Sequence, residues 1–240
     1  MKALILAAGL GTRLKPLTDE VPKALVSVGG VPMLERNLKF LAGQGVTEFI
    51  VNVHHLADKV EDFLARNNSF GLKVAISDER SMLLETGGGL RHASWFFDDG
   101  KPFLLYNVDI LTSLNVQEMY QQHTQSAALA TLAVSNRRSS RYFLFDAKNR
   151  LCGWRNVKTG EEKLPLQTNE TLTPLAFGGV HVISPEIFKH LANFGEKFSI
   201  VDVYLSLAAA HLIMGYDMRN AQWLDVGKLE TLEKANAMFC

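Results

Sequence analysis

Residues 1–16 read MKALILAAGLGTRLKP, and the reading of this stretch decides the fold. KALILA (2–7) is an apolar run of strand type; AAGLGTRLKP (7–16) then breaks into small residues, two glycines, an arginine, a lysine and a proline. A strand that ends in such a turn offers backbone N–H groups to anionic oxygens, and an arginine beside it adds a fork of donors that can engage two oxygens at once. The opening residues share a lysine and an apolar run with a signal peptide. The run is short and breaks at once into GTRLKP, so it reads as a buried first strand. Two familiar glycine-rich turns are excluded. A dinucleotide-binding turn needs a third glycine where this chain has Leu14, and an acid after the second strand, which instead ends in NVHH (52–55). A P-loop needs GK[ST] at the end of the turn, and none follows. What remains is a nest of amides with Arg13, Lys15 and, a little further on, Lys23.

Outward from this turn, apolar strand-type runs alternate with segments of helical period. Residues 33–44 carry Met33, Leu34, Leu38 and Leu41 on one face, and EFIVNV (48–53) follows as a strand. A helix with Leu56, Val60, Phe63 and Leu64, the strand LKVAIS (72–77), a glycine-opened helix from about Gly87 and the strand FLLYN (103–107) complete a βαβαβαβ succession. That order predicts right-handed crossovers and a parallel, doubly wound sheet, with ligands at the carboxyl ends of its strands, after Ala7, Ser77 and Asn107. The second half changes character. AALATLAV (127–134), YFLF (142–145) and LAFGGVHVI (175–183) predict mixed or antiparallel strands and a small substrate lobe. Two helices follow, one opened by Ser184 and Pro185, the other by Ser199 with Asp202 in a capping-box-like spacing and Ile200, Val203, Leu207 and His211 on one stripe. AQWLDVG (221–227) is a last strand, and a helix from about Lys228 closes the chain.

The chain has 240 residues, 47% hydrophobic and 21% charged, with formal net charge zero, as expected for one soluble α/β domain with a sizeable core. No basic footprint for nucleic acid shows at chain level, and no apolar run nears the roughly 20 residues that span a bilayer. Cys152 and Cys240 form no CxxC pair, which argues against a disulfide framework or zinc site and suits a reducing cytoplasm.

LAAGLGTRLKPLTDEVPKALVSVGGVPMLE (6–35) resembles the signature of the nucleotidyltransferases that join a nucleoside triphosphate to a sugar 1-phosphate. The resemblance implies a three-layer α/β sandwich around a central, mostly parallel mixed sheet, without a β-helix domain. It implies one nucleotidyltransferase domain over 1–240, with a nucleotide-binding half at about 1–112 and a sugar-phosphate-binding half at about 113–240. By the same likeness Leu6, Ala7, Ala8, Gly9, Gly11 and Thr12 cover the nucleotide, Arg13 holds the β and γ phosphates, and Lys23 reaches the α-phosphate or the sugar phosphate. LETGGGLRHA (84–93) is similar to the family's base-binding loop, placing Glu85, Thr86, Gly87 and Gly88 at the base, with a glycine-rich helix start as the lesser reading of GGG taken alone. Asn107 joins them, Asn156, Gly178 and Gly179 fall on the sugar-phosphate side, and Asp109 in YNVDIL and Asp225 in WLDVG form the implied Mg²⁺ site. Two carboxylates, substrate phosphates and water suit the octahedral oxygen shell of Mg²⁺. The sugar phosphate is already an anion and needs no general base, and no GxSxG or HExxH is present. His54 and His55 end a strand, where packing or hydrogen bonding suits them better than a metal.

Two positions depart from the family pattern. Val108 stands where many members carry glycine, which implies a crowded approach for ribose or sugar. Lys228 follows DVG where a small hydroxyl residue is common, and a cation there would either weaken Mg²⁺ or help hold a phosphate. Among family members the chain resembles the short N-acetylmuramate 1-phosphate uridylyltransferases of cell-wall sugar recycling. That likeness favours UTP and a carboxylate-bearing sugar, for which Arg155, Arg138 and Arg141 are the candidate cations. Glu79 would accept the N3 proton of uracil, and equally two protons of guanine, so mannose 1-phosphate guanylylation stays open beside cytidylyl transfer to phosphocholine. A non-catalytic nucleotide-sugar-binding subunit is the rival of a different class; a glycosyltransferase would need a DxD that is missing. A monomer and a homodimer are both compatible with the sequence.

Overall fold

The computed structural model describes residues 1–239. In chain order the elements are β1 (Lys2–Leu6), α1 (Leu17–Glu20), β2 (Ser27–Val28), β3 (Val31–Pro32), α2 (Met33–Gly43), β4 (Glu48–Val53), α3 (Ala57–Arg66), β5 (Lys73–Asp78), α4 (Glu85–His92), β6 (Phe103–Asn107) and β7 (Ile110–Thr112). They continue with α5 (Val116–Thr124), β8 (Ala130–Ser135), β9 (Arg141–Phe145), β10 (Leu151–Asn156), β11 (Glu162–Lys163), β12 (Thr173–Ile183), α6 (Phe188–Leu191), α7 (Ile200–Leu207), β13 (Ile213–Asp217), β14 (Trp223–Asp225) and α8 (Leu229–Phe239).

The main sheet runs β11-β10-β9-β12-β6-β1-β4-β5, with β8 paired to β12 and β13 to β8. β5, β4, β1 and β6 are parallel, as the sequence predicts; β12 lies antiparallel to β6, β8 and β9. The chain passes from β1 outward to β4 and β5 and then returns to the other side of β1, so the switch point of the sheet falls between β1 and β6. Ligands bind above such a crevice in open α/β sheets. Both strands end there, β1 into the glycine turn and β6 into Asp109.

Period-two alternation builds the three layers. Ala3, Ile5, Phe49, Val51, Leu104 and Tyr106 face one core with α2, α3 and α5, while Leu4, Ile50, Phe103 and Leu105 face the other with α4, α6 and α7. A third, smaller core lies beside the switch point. Leu14 from the glycine turn, Val28 from β2, Leu111 from β7, Val226 and the α8 residues Leu232 and Ala235 pack there. It ties the turn near the chain's beginning to the strand pair β7–β14 and to the last helix, with Gly29 N donating to Asn236 Oδ1 at 2.9 Å.

Several expectations need correction. Ser184 stands at the N-cap with Pro185 at the first helical position as expected, but of a tight 3₁₀ turn over 185–187 before α6, and its hydroxyl donates to Ala128 O at 2.9 Å and meets His123 Nε2 at 3.0 Å instead of capping. Ser199 Oγ does accept from Val201 N, but Asp202 turns outward to Lys163, so the capping box is half made. α7 ends at Leu207, leaving His211 beyond it. Helix α5 was not expected, although Asn115 accepts from Glu118 N at 3.0 Å and Val116 and Met119 share its buried face.

Candidate active site

The turn after β1 is held from behind by one residue. Asn52, buried near the end of β4, accepts the amides of Ala7 at 2.6 Å and Ala8 at 3.3 Å through Oδ1, and its Nδ2 donates to Glu79 Oε1 at 2.7 Å. Glu79 Oε2 accepts from Leu84 N at 3.2 Å, so this carboxylate braces the turn against the start of α4. Burial pushes the Glu79 carboxyl up, against the pull of the Asn52 and Leu84 donors. With Ala7 and Ala8 occupied, the amides of Gly9 to Thr12 meet no protein acceptor among the described residues. Gly11 is left-handed (φ +66°) and a β-carbon there would lie 2.8 Å from the Thr18 methyl, while Thr18 Oγ1 donates to Gly11 O at 2.9 Å. Only glycine fits this conformation and this contact.

Asp109 sits at the opposite lip, 9% exposed, in the β6–β7 turn. Its neighbours leave the backbone no freedom. Val108 N donates to Leu6 O at 3.2 Å, Asn37 Nδ2 to Val108 O at 2.7 Å, the Tyr106 hydroxyl to Ile110 O at 3.0 Å, and Val226 N to Asp109 O at 2.8 Å. Val108 itself is turned into the core, 1% exposed, so its side chain does not crowd the cleft as the sequence comparison with glycine-bearing members implies. Lys23 Nζ lies 2.5 Å from Asp109 Oδ2. Asp225 arrives through the antiparallel pairing of β14 with β7, and its Oδ1 accepts from Gly227 N at 2.7 Å.

Gly227 marks the point where these groups converge. A β-carbon built on it would lie 2.7 Å from Arg13 Nη2, 2.7 Å from Asp225 Oδ1 and 3.3 Å from Asp109 Oδ2. Two carboxylates and a guanidinium thus face one small space that a side chain would fill. The donor set fits a hard divalent cation such as Mg²⁺, which takes one or two carboxylates and completes its shell with phosphates and water. No group of three or more His, Cys, Asp or Glu side chains gathers among the described residues, so the site suits a metal shared with substrate oxygens, not one caged by protein.

Beside this point lies a cleft of about 370 Å³. Of the residues expected at the nucleotide, Leu6, Ala8, Gly9, Glu79, Glu85, Thr86 and Asn107 line it, together with Lys23 and Asp109. Ala7 is held on Asn52, and Ala7, Gly11, Thr12 and Arg13 are not among the residues that line it. Gly87 and Gly88 are buried in packing: a β-carbon on Gly87 would lie 2.5 Å from the Phe198 ring, and one on Gly88 2.6 Å from Glu196 O. Gly88→Ala is therefore expected to destabilise the fold by about 1–3 kcal/mol, the scale of overpacking, although alanine is the better helix former. A melt that does not shift, with weakened nucleotide binding, would give the glycine to the base instead.

On the other half, Gly179 meets Asn107, whose Nδ2 would lie 3.1 Å from a β-carbon there, and Gly178 O accepts from Trp223 Nε1 at 2.8 Å. Arg155 is exposed and paired with Glu162, Asn156 closes a local turn by accepting from Lys158 N, and neither reaches the cleft. Arg138, Arg141 and Lys228 are exposed. His54 Nδ1 lies 2.7 Å from Glu79 O, a hydrogen-bonding role as expected. Asn52, Leu83 and Ser199 line the cleft without having been expected; an asparagine inside the otherwise apolar strand EFIVNV was the available signal for the first.

A mostly parallel sheet with an amide nest, cations and two acids at its switch point defines the nucleotide-diphospho-sugar transferase fold. The chain belongs to the nucleotidyl transferase family, whose model matches residues 2–240. It is 32% identical over 232 residues to an N-acetylmuramate alpha-1-phosphate uridylyltransferase of Caulobacter vibrioides, covering 94% of this chain and 91% of that relative. A protein of the same description from Neisseria meningitidis is 29% identical over 245 residues, covering 99% and 98%. Among solved structures, HddC from Yersinia pseudotuberculosis complexed with GMP-PN superposes with TM-score 0.79 at 22% identity over 100% of this chain and 99% of that one, a likeness of fold. No helix among the described residues is long and apolar enough to cross a membrane.

Proposed function

We propose that this chain transfers the uridylyl group of UTP to N-acetylmuramate 1-phosphate, releasing pyrophosphate and forming the UDP-sugar. The observation that carries the transfer chemistry is the convergence of Arg13, Asp109 and Asp225 on Gly227 beside the free amides of the turn. The choice of uridylyl and of the muramyl sugar is supported by likeness to the Caulobacter and Neisseria enzymes along nearly their whole lengths. A cytoplasmic setting and a place in cell-wall sugar recycling belong to the same proposal.

In this reading the amides of Gly9 to Thr12 and the Arg13 guanidinium hold the β and γ phosphates, and Lys23 draws the reacting phosphates together beside Asp109. An oxygen of the sugar phosphate forms a bond to the α-phosphorus. The bond from that phosphorus to the bridging oxygen breaks in line, and its electron pair leaves with pyrophosphate. Arg13 neutralises that departing charge with donors fixed in advance, the largest effect available to phosphoryl transfer. Asp109 and Asp225 would hold Mg²⁺, which supplies charge neutralisation and orients the phosphate oxygens when bound. The first half of the chain serves the nucleotide and the second the sugar phosphate.

Pyrophosphate release measured across the four nucleoside triphosphates and a panel of sugar 1-phosphates with Mg²⁺ tests this directly. UTP with N-acetylmuramate 1-phosphate is expected to give the highest kcat/KM. Preference for GTP with mannose 1-phosphate would replace the proposed substrates, and binding without any release would make the chain a nucleotide-sugar-binding subunit.

A further inference from the structure

Arg137 is a cation that forms no ion pair among the described residues, placed within electrostatic reach of Asp225. It lies half-buried after β8, with its guanidinium 3.7 Å from the centre of the Trp223 indole and its Nη2 donating to Phe177 O at 2.6 Å. Its Nε is buried and has no hydrogen-bond partner. Among the described residues no carboxylate forms an ion pair with it; Asp225 acts on it only through space, while burial pulls its pKa down. A guanidinium held out of water without an acid is costly, and the surroundings hold it there firmly. Trp223 is fixed by its donation to Gly178 O at 2.8 Å, and Gly179, the next residue, touches Asn107 of the cleft. Trp223 and Asp225 are two residues apart on β14, so their side chains leave the strand on one face. The planar cation, stacked on Trp223, therefore lies on the same face of β14 as Asp225.

We infer that Arg137 holds an oxyanion of the incoming sugar 1-phosphate, either its phosphate or a carboxylate carried by the sugar. The inference rests on the transfer reading above and adds to it the group that receives the acceptor. A guanidinium with one face stacked on an indole and Nη2 held by Phe177 O is fixed in place in a way that a flexible lysine is not, and it leaves Nη1 to donate to an oxyanion.

The test compares wild type with Arg137→Met and Arg137→Lys, using N-acetylmuramate 1-phosphate and N-acetylglucosamine 1-phosphate, which differ in the lactyl carboxylate. The methionine variant is expected to raise KM for the acceptor by about ten- to a hundredfold, the scale of hydrogen bonds to a charged group, with KM for UTP and kcat changed less than about threefold. Equal loss with both sugars assigns Arg137 to the phosphate; loss confined to the muramyl sugar assigns it to the carboxylate. The lysine variant keeps the charge without the fork and is expected to fall between; if the methionine variant does not fold, it carries the comparison. An unchanged acceptor KM in a folded variant overturns the inference and leaves the transfer reading intact. A wild-type protein that neither binds nor consumes a sugar 1-phosphate overturns both.

Discussion

Asp109→Asn is expected to remove at least about 10³ of the metal-dependent turnover while the protein stays folded. A bound divalent cation contributes several kcal/mol to charge stabilisation in such a transfer, and each 1.36 kcal/mol is about tenfold in rate. The asparagine keeps the volume, and four backbone ties around the residue do not use its carboxylate: Val108 N to Leu6 O, Asn37 Nδ2 to Val108 O, Tyr106 to Ile110 O and Val226 N to Asp109 O. What it loses is the charge that faces Gly227 and balances Lys23 at 2.5 Å. Pyrophosphate release over a range of Mg²⁺ concentrations, beside a thermal melt, is the measurement. Turnover above about a tenth of wild type would take the metal away from Asp109.

Arg13→Ala is expected to lower kcat by about 10² or more, the effect of removing one preorganised donor from the site of developing charge. Arg13 is exposed and faces the open space at Gly227, so the melt should barely move. Because the residue is assigned to the departing pyrophosphate, KM for the sugar 1-phosphate should stay within a few-fold. This separates it from Arg137, whose loss is expected in the acceptor KM. If single-turnover measurements show Arg13→Ala slowing sugar phosphate binding and sparing the chemical step, the two arginines have been assigned the wrong way round.

The parallel half of the sheet was legible because each strand there is an apolar run bounded by turns, and its helices repeat at 3.6 residues; EFIVNV and FLLYN match β4 and β6 residue for residue. The acids and the glycine turn were legible as short motifs at the ends of those strands. What escaped the sequence depends on contacts between distant segments. The pairing of Arg137 with Trp223 spans 86 positions, and nothing local distinguishes that arginine from Arg138 or Arg141 beside it. The pairing of Arg155 with Glu162 likewise shows only once β11 is laid against β10. Gly87 and Gly88 read as room for a ligand, whereas the room is taken by Phe198 and Glu196 from the other half of the chain.

The small core that joins Leu14 to Val226, Leu232 and Ala235 has a kinetic consequence. Its partners are more than 200 residues apart in the chain, and contacts of such separation form late because long loops must close before they are rewarded. The sheet around β1, β4 and β6 can assemble from the first half of the chain, but the site is complete only once β14 has paired with β7, bringing Asp225, and α8 has closed the small core over Leu14. Refolding followed by two probes should therefore show the far-ultraviolet signal returning before catalytic turnover, the interval between them being the time the last helix takes to close over the first turn.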